Sequence, residues 1–251
     1  MDRLRSSINL VLAGGQLVAP FLLFPRGFEV DVPGSPAEPT PIVPAAYAFS
    51  IWWLIFVGAL AQAVLAVLPR YQRHPVLRQI GWLTAATYAA GILWMVVARF
   101  GPAWPTLPLI VMMLGLMGAA YALAAPALEG ERLELRILVV VPLSLYAGWL
   151  SIAVFANVSE LLASLEVAGF LDELRTWSIA MLGLAIMVAL EGVVLGGGGL
   201  GSIVYAATVA WALVGIVVAN YGDAVAIMAG IGVLIVLLAL LLRRRKEPGL
   251  E

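Results

Sequence analysis

Pro142-Leu-Ser-Leu-Tyr-Ala-Gly-Trp-Leu-Ser-Ile-Ala-Val-Phe-Ala-Asn157 is the stretch on which the reading of this chain turns. Taken as a helix, it sets Pro142, Tyr146, Trp149, Ala153 and Asn157 at spacings of 4, 3, 4 and 4, which places them on one face. The residues between them are apolar enough to face lipid. The stretch therefore reads as a membrane helix carrying an aromatic, weakly polar stripe. Such a stripe faces either neighbouring helices or a bound flat molecule.

Composition points the same way. The chain has 251 residues, of which 63% are hydrophobic and only 12% charged, and its mean hydropathy is +1.04. A soluble domain carries about twice that share of charge. Apolar runs near 20 residues recur along the whole length, so the chain reads as an all-α polytopic membrane protein with about eight transmembrane helices. No basic stripe is present for nucleic acid, which is not expected as a partner. The lipid bilayer is.

Several chemistries are excluded by what the sequence lacks. Without cysteine there is no disulfide, thiolate metal site or cysteine nucleophile. The single histidine, His74, falls in a polar loop, so no imidazole is available at membrane depth to ligate a metal. The single lysine, Lys246, lies beyond the last apolar run, which removes a retinal Schiff base. With neither His nor Lys as an intramembrane base, no nucleophile dyad can be assembled. No catalytic or metal-binding residues are expected, and enzymatic activity is not indicated.

Taken in order, helices are expected over about 6–24, 46–68, 79–98, 106–125, 135–158, 176–195 and 202–219, with an eighth ending at Arg243-Arg-Arg-Lys246. The first run lacks a good small-x-small cleavage site, so it reads as a helix and not as a signal peptide. A Pro-rich loop with Glu29, Asp31 and Glu38 follows it over 25–44. Residues 160–175 mix leucines, Phe170 and five charges, a pattern that suits a short amphipathic helix on the membrane surface. Eight spans put both termini on one side. That side carries eleven of the fourteen basic residues, and only Arg26, Arg99 and Arg175 fall on the other. The positive-inside bias makes both termini cytoplasmic.

Tyr47, Phe49, Trp52 and Trp53 open helix two, Trp94 lies towards the outer end of helix three, and Tyr146 and Trp149 face inward on helix five. These converge on the outer half of the bundle under the first loop, where they can sandwich a planar or sterol-like lipophile. The competing reading is an interfacial aromatic belt, which is preferred for Trp104 and Trp177. Asn157 reads as a carbonyl cap or an interhelical hydrogen-bonding group, with ligand contact as the lesser reading. Glu191, the carboxylate within helix six, reads either as a snorkelling group or as part of a proton relay. Gly196-Gly-Gly-Gly-Leu-Gly201 is a hairpin turn; no Lys-Ser/Thr follows it to make a phosphate loop. Gly14 with Gly15, Gly115 with Gly118, and Ser144 with Gly148 offer small surfaces for close helix packing. No polar pathway is evident.

At these residues the chain resembles a known family. Pro142 with Tyr146-x-x-Trp149-x-x-x-Ala153-x-x-x-Asn157 is similar to the fifth-helix signature of the TspO/MBR family, the translocator or tryptophan-rich sensory proteins, with the proline displaced. Pro44-Ala-Ala-Tyr-Ala-Phe-Ser-Ile-Trp-Trp-Leu-Ile-Phe56 resembles the start of that family's second helix, and Leu93-Trp94 with Phe100 its third. The resemblance implies a five-helix core over 1–160, an interfacial segment over 161–175 and a three-helix extension over 176–246. It implies a porphyrin or other tetrapyrrole, or a sterol-like lipophile, bound for sensing or transport, and a bacterial inner (cytoplasmic) membrane location. Tyr47, Phe49, Trp52, Trp53, Tyr146, Trp149 and Asn157 are the pocket candidates it carries over. The chain departs from the family pattern in having no Trp or Tyr within 25–44. Two other classes stand beside this one: a non-catalytic accessory subunit, partnered in a homo-oligomer or larger membrane complex, and a proton-coupled transporter resting on Glu191.

Overall fold

The computed structural model of the chain describes residues 2–24, 39–167 and 173–245. Among these, eight helices are long and apolar enough to cross a membrane: α1 (Asp2–Leu23), α2 (Ala46–Val67), α3 (Pro75–Phe100), α4 (Thr106–Ala127), α5 (Leu133–Ser164), α6 (Leu174–Leu195), α7 (Leu200–Ala219) and α8 (Ala224–Arg245). A rise of about 1.5 Å per residue makes 20 residues span the roughly 30 Å of a hydrocarbon core. Seven helices have 20 to 26 residues and fit that depth, whereas α5 has 32 and overreaches it. The chain is an all-α, multi-pass membrane protein.

Local chemistry sets where the helices begin and bend. Pro75 sits in the first turn of α3, where its missing N–H costs nothing. The start of α2, Ala46–Ser50, is a 3-10 turn before the α-helix proper begins at Ile51. In α5, residues Arg136–Val140 form a π-helical turn just before Pro142. A proline ring clashes with the carbonyl four residues earlier, and widening that turn relieves the clash. On α2, Gly58 packs against the same ring; a Cβ there would lie 3.2 Å from Pro142 Cβ and Cγ.

The largest departure from the sequence reading is at the end of α5. Helix five is expected to stop near 158, with a surface helix after it. Instead the helix continues through Ser164, because Glu160-Leu-Leu-Ala-Ser164 contains neither glycine nor proline to break it. Glu166, with φ at 49°, then terminates the run. The extra turns carry Glu160 far enough to accept a hydrogen bond from the Thr40 backbone N–H at 2.8 Å. Phe170 and Leu171 of the expected surface segment lie outside the described residues, as does the part of the first loop over 25–38.

α5 is the axle. In its most apolar window 78% of residues are buried, against 28% in α8 and no more than 50% in any other helix. On one side α5 packs against α2 and α4, with α3 next to α4 and α1 laid over α2 and α3. On the other it packs against α6 and α7, and α8 covers those two. The contacts pair the helix ends into two sets. Asp2 with Arg78, Tyr71 with Glu134, and Gly199 against Glu129 lie at one end. Thr40 with Glu160, Thr106 with Asn157, and Arg175 with Asp223 lie at the other.

α7 also holds the segment that leads into α2. Ala45 N–H donates to Gly215 O at 3.0 Å, the Trp211 indole to Ala48 O at 3.0 Å, and the Asn220 amide to Pro41 O at 2.7 Å. Removing one of these, by Trp211→Phe, is expected to cost about 0.5–1.5 kcal/mol, seen as a lower melting temperature in detergent.

Candidate functional site

The aromatic face of α5 meets α2 at Trp52. The Trp52 ring lies 5.8 Å from Tyr146 and 5.9 Å from Trp149, edge-on to both, and stacks on Phe56 at 5.2 Å. Phe49 meets the other side of Trp149 at 5.6 Å, and Tyr88 of α3 stacks on Tyr146 at 6.5 Å. Each such pair is worth about 0.5–1.5 kcal/mol beyond the area it buries. α1, α3 and α4 close the open side, leaving a cleft lined by Gln16, Trp52, Phe56, Trp94, Met113, Tyr146 and their neighbours. Counted out to its mouth the cleft holds about 280 Å³, but the part closed off has room for about one water molecule.

Polar groups in this wall are few and specific. Gln16, 1% exposed, donates through Nε2 to the Tyr146 hydroxyl. Gly91 makes that bond possible, since a Cβ there would lie 2.2 Å from Gln16 Nε2. Among the described residues, three buried atoms of the region have no hydrogen-bond partner: Gln16 Oε1, Trp94 Nε1 and Trp149 Nε1. Leaving such a group unpaired costs about 1–3 kcal/mol. Two of the three belong to residues that line the cleft itself.

Below the cleft, towards the end where the chain begins, a seam of polar contacts joins α1 to α3. Asn9 donates to Gly81 O at 2.6 Å and accepts from Thr84 Oγ1 at 2.7 Å. Arg5, buried to 7% exposure, donates to Asp2 at 2.8 Å and to Gln72 O at 3.2 Å. Tyr88 donates to Gln62 Oε1 of α2 at 2.5 Å. The sequence reading finds no polar pathway and passes over these residues. The signal was present in three amides inside apolar spans, Asn9, Gln16 and Gln62, the first two one heptad apart on one face, at i and i+7. Asn9→Leu strips the Thr84 hydroxyl and Gly81 carbonyl of a partner. It is expected to lower stability by about 1 kcal/mol in a reversible unfolding titration.

The expected site residues divide. Phe49, Trp52, Tyr146 and Trp149 form one cluster, and Trp94 lines the adjoining cleft. Tyr47 and Trp53 are placed elsewhere. Tyr47 is 43% exposed and packs edge-on against Trp211 of α7 at 5.4 Å. Two residues before Phe49 and five before Trp52, it lies about 140–160° round a regular helix from them, and still about 120° from Phe49 in the 3-10 opening, so it cannot share their face. Trp53 follows Trp52 by one residue, about 100° round the helix, so the two cannot share a face. It lies against Phe21 at 4.8 Å. Asn157 accepts from Thr106 Oγ1 at 3.3 Å and ties α5 to α4; eight residues from Trp149, it stands roughly 12 Å further along the axis.

Trp104 and Trp177 are exposed, at 61% and 43%. Glu191 is exposed on α6. Its replacement by glutamine is expected to change stability by no more than about 0.5 kcal/mol, measured by thermal melting. Gly197 and Gly198 have φ of 76° and 86°, which confirms a tight hairpin between α6 and α7. Among the described residues no group of His, Cys, Asp or Glu could hold a metal ion.

No curated protein and no solved structure matches the chain. A family model described as TSPO-like protein matches residues 34–242, from just before α2 into α8. The match takes in the whole Trp52–Tyr146–Trp149 wall and most of the bundle around it, and the chain belongs to the TSPO-like family.

Proposed function

We propose that the chain is a receptor or carrier for a hydrophobic small molecule, tetrapyrrole or sterol-like, bound against the Trp52–Tyr146–Trp149 wall. The observation that carries the reading is the pairing of that wall with unpartnered buried polar atoms on Gln16 and Trp94 in one cleft. Aromatic faces supply stacking and dispersion, and a few polar atoms fix orientation, the usual division in a small-molecule site. A body larger than the enclosed gap enters by displacing Met95 and Met113, whose unbranched thioether chains re-pack readily. The charge distribution supports both termini being cytoplasmic, and the family likeness supports sensing or transport in a bacterial inner membrane as the setting.

Titrating the chain in lipid nanodiscs with protoporphyrin and with a sterol, while following tryptophan emission, tests this. Saturable quenching or a spectral shift is expected with at least one of them, and loss of it in Trp149→Ala. Emission that changes equally in wild type and variant ends the reading.

A second reading, an accessory subunit of a membrane complex, is favoured by a different observation. Among the described residues, Gly14 of α1 and Gly115 and Gly118 of α4 have nothing within 4 Å of where a Cβ would sit, which leaves backbone open to another helix. Stoichiometric co-purification of a second membrane protein, lost on Gly115→Leu, is its expected signature; a chain that purifies alone and monomeric removes it.

A further inference from the structure

Resting on the reading of the cleft as a binding site, we infer that its occupant is a neutral, hydroxyl-bearing lipophile whose O–H enters the gap between Gln16 and Trp94. The Gln16 amide is split in use: its nitrogen donates to Tyr146, while its oxygen, on a side chain 1% exposed, has no donor. The Trp94 indole N–H is likewise without an acceptor. Tyr146 accepts from Gln16 through its oxygen, so its own proton is left to donate. The residues that line the gap thus carry one acceptor and one donor without partners, together with the Tyr146 proton, beside a space of about one water molecule. A hydroxyl is the smallest organic group that complements this, with one proton to give and two lone pairs to receive.

Other head groups fit worse. An ether or ketone accepts from Trp94 and Tyr146 but brings no proton for Gln16 Oε1. A carboxylate also lacks that proton, and it sets its charge beside the amide oxygen in a cleft with no charged lining residue. An ammonium donates to Gln16 but turns its remaining protons towards two donors. Gly91 keeps the amide in place, because any side chain there would occupy the position of Gln16 Nε2. The hydrocarbon part of the ligand then lies along Trp52, Phe56, Ile110 and Met113.

Calorimetric titration of the full-length chain in nanodiscs with 2-naphthol, 2-methoxynaphthalene and 2-naphthoate tests this, with empty nanodiscs subtracted for partitioning. 2-Naphthol is expected to bind more tightly than either analogue by roughly tenfold or more, since a site built for a hydroxyl leaves groups unpaired when it is missing. Gln16→Leu should bring 2-naphthol down to the level of the ether while leaving the ether unchanged, whereas Trp94→Phe, which removes a donor that both ligands use, should weaken the two together. Trp94→Phe keeps an aromatic ring in place, so it reports on binding in the cleft even where Gln16→Leu folds poorly. Equal affinity of the wild type for 2-naphthol and its ether, tighter binding of the carboxylate, or discrimination that survives in Gln16→Leu overturns the hydroxyl assignment and leaves the cleft reading standing. If none of the three binds, both fall.

Discussion

Gly148→Leu is expected to prise α7 away from α5 and to cost about 3 kcal/mol of stability, the upper end for overpacking a buried contact. A Cβ at this position would lie 2.9 Å from the Tyr205 backbone oxygen and 3.0 Å from Thr208 Cβ. A backbone carbonyl cannot swing aside as a side-chain tip can, so the helices themselves must separate. The damage should travel. Tyr205 shares a buried hydrogen bond with Ser151 of α5, and α7 holds the segment 41–48 that leads into α2. Loosening α7 therefore loosens the approach to Phe49 and Trp52. Unfolding titrations in mixed micelles should show the full loss for leucine and a smaller loss in the same direction for alanine. An unchanged midpoint for Gly148→Leu would mean that α7 is not seated on α5 as described.

Trp52→Ala should rank beside it, with a loss of about 3–5 kcal/mol, typical of a large buried aromatic removed from a packed site. Its ring touches Tyr146, Trp149 and Phe56 together and forms part of the cleft wall. Ligand affinity is expected to vanish in the same variant. The control is the next residue: Trp53, 41% exposed and outside the cleft, should give a small change in stability and none in binding when replaced by alanine. Equal effects at 52 and 53 would contradict the orientation of α2. Melting curves and one binding isotherm for each variant suffice.

The stripe on helix five was legible because its information is local. Tyr146 and Trp149 stand three apart on a run long and apolar enough to be helical, and both prove buried. The number of spans was legible for the same reason, since each apolar run of about 20 residues announces its own helix. What the sequence hid depends on the neighbours. That Tyr47 packs on Trp211 is decided by where α7 lies, which no periodicity announces. Asn9, Gln16 and Gln62 look like isolated polar residues in apolar runs until α1, α2, α3 and α5 bring their partners alongside.

The resemblance to a five-helix core and the mixed pattern over 160–175 set residues after 160 apart. That boundary falls inside α5, and α6 and α7 pack directly on the same helix. The family match, running to 242, crosses it as well. The cleft's polarity was the least legible feature of all, because an unpaired atom is visible only once every possible partner has been placed.

The account comes down to whether the Trp52–Tyr146–Trp149 wall holds a molecule. The direct measurement is a mass-spectrometric inventory of lipophiles that stay with the chain after mild detergent extraction, wild type beside Trp149→Ala. One compound near one per chain in the wild type, and absent from the variant, is the result expected. Identical inventories from two folded proteins would contradict it.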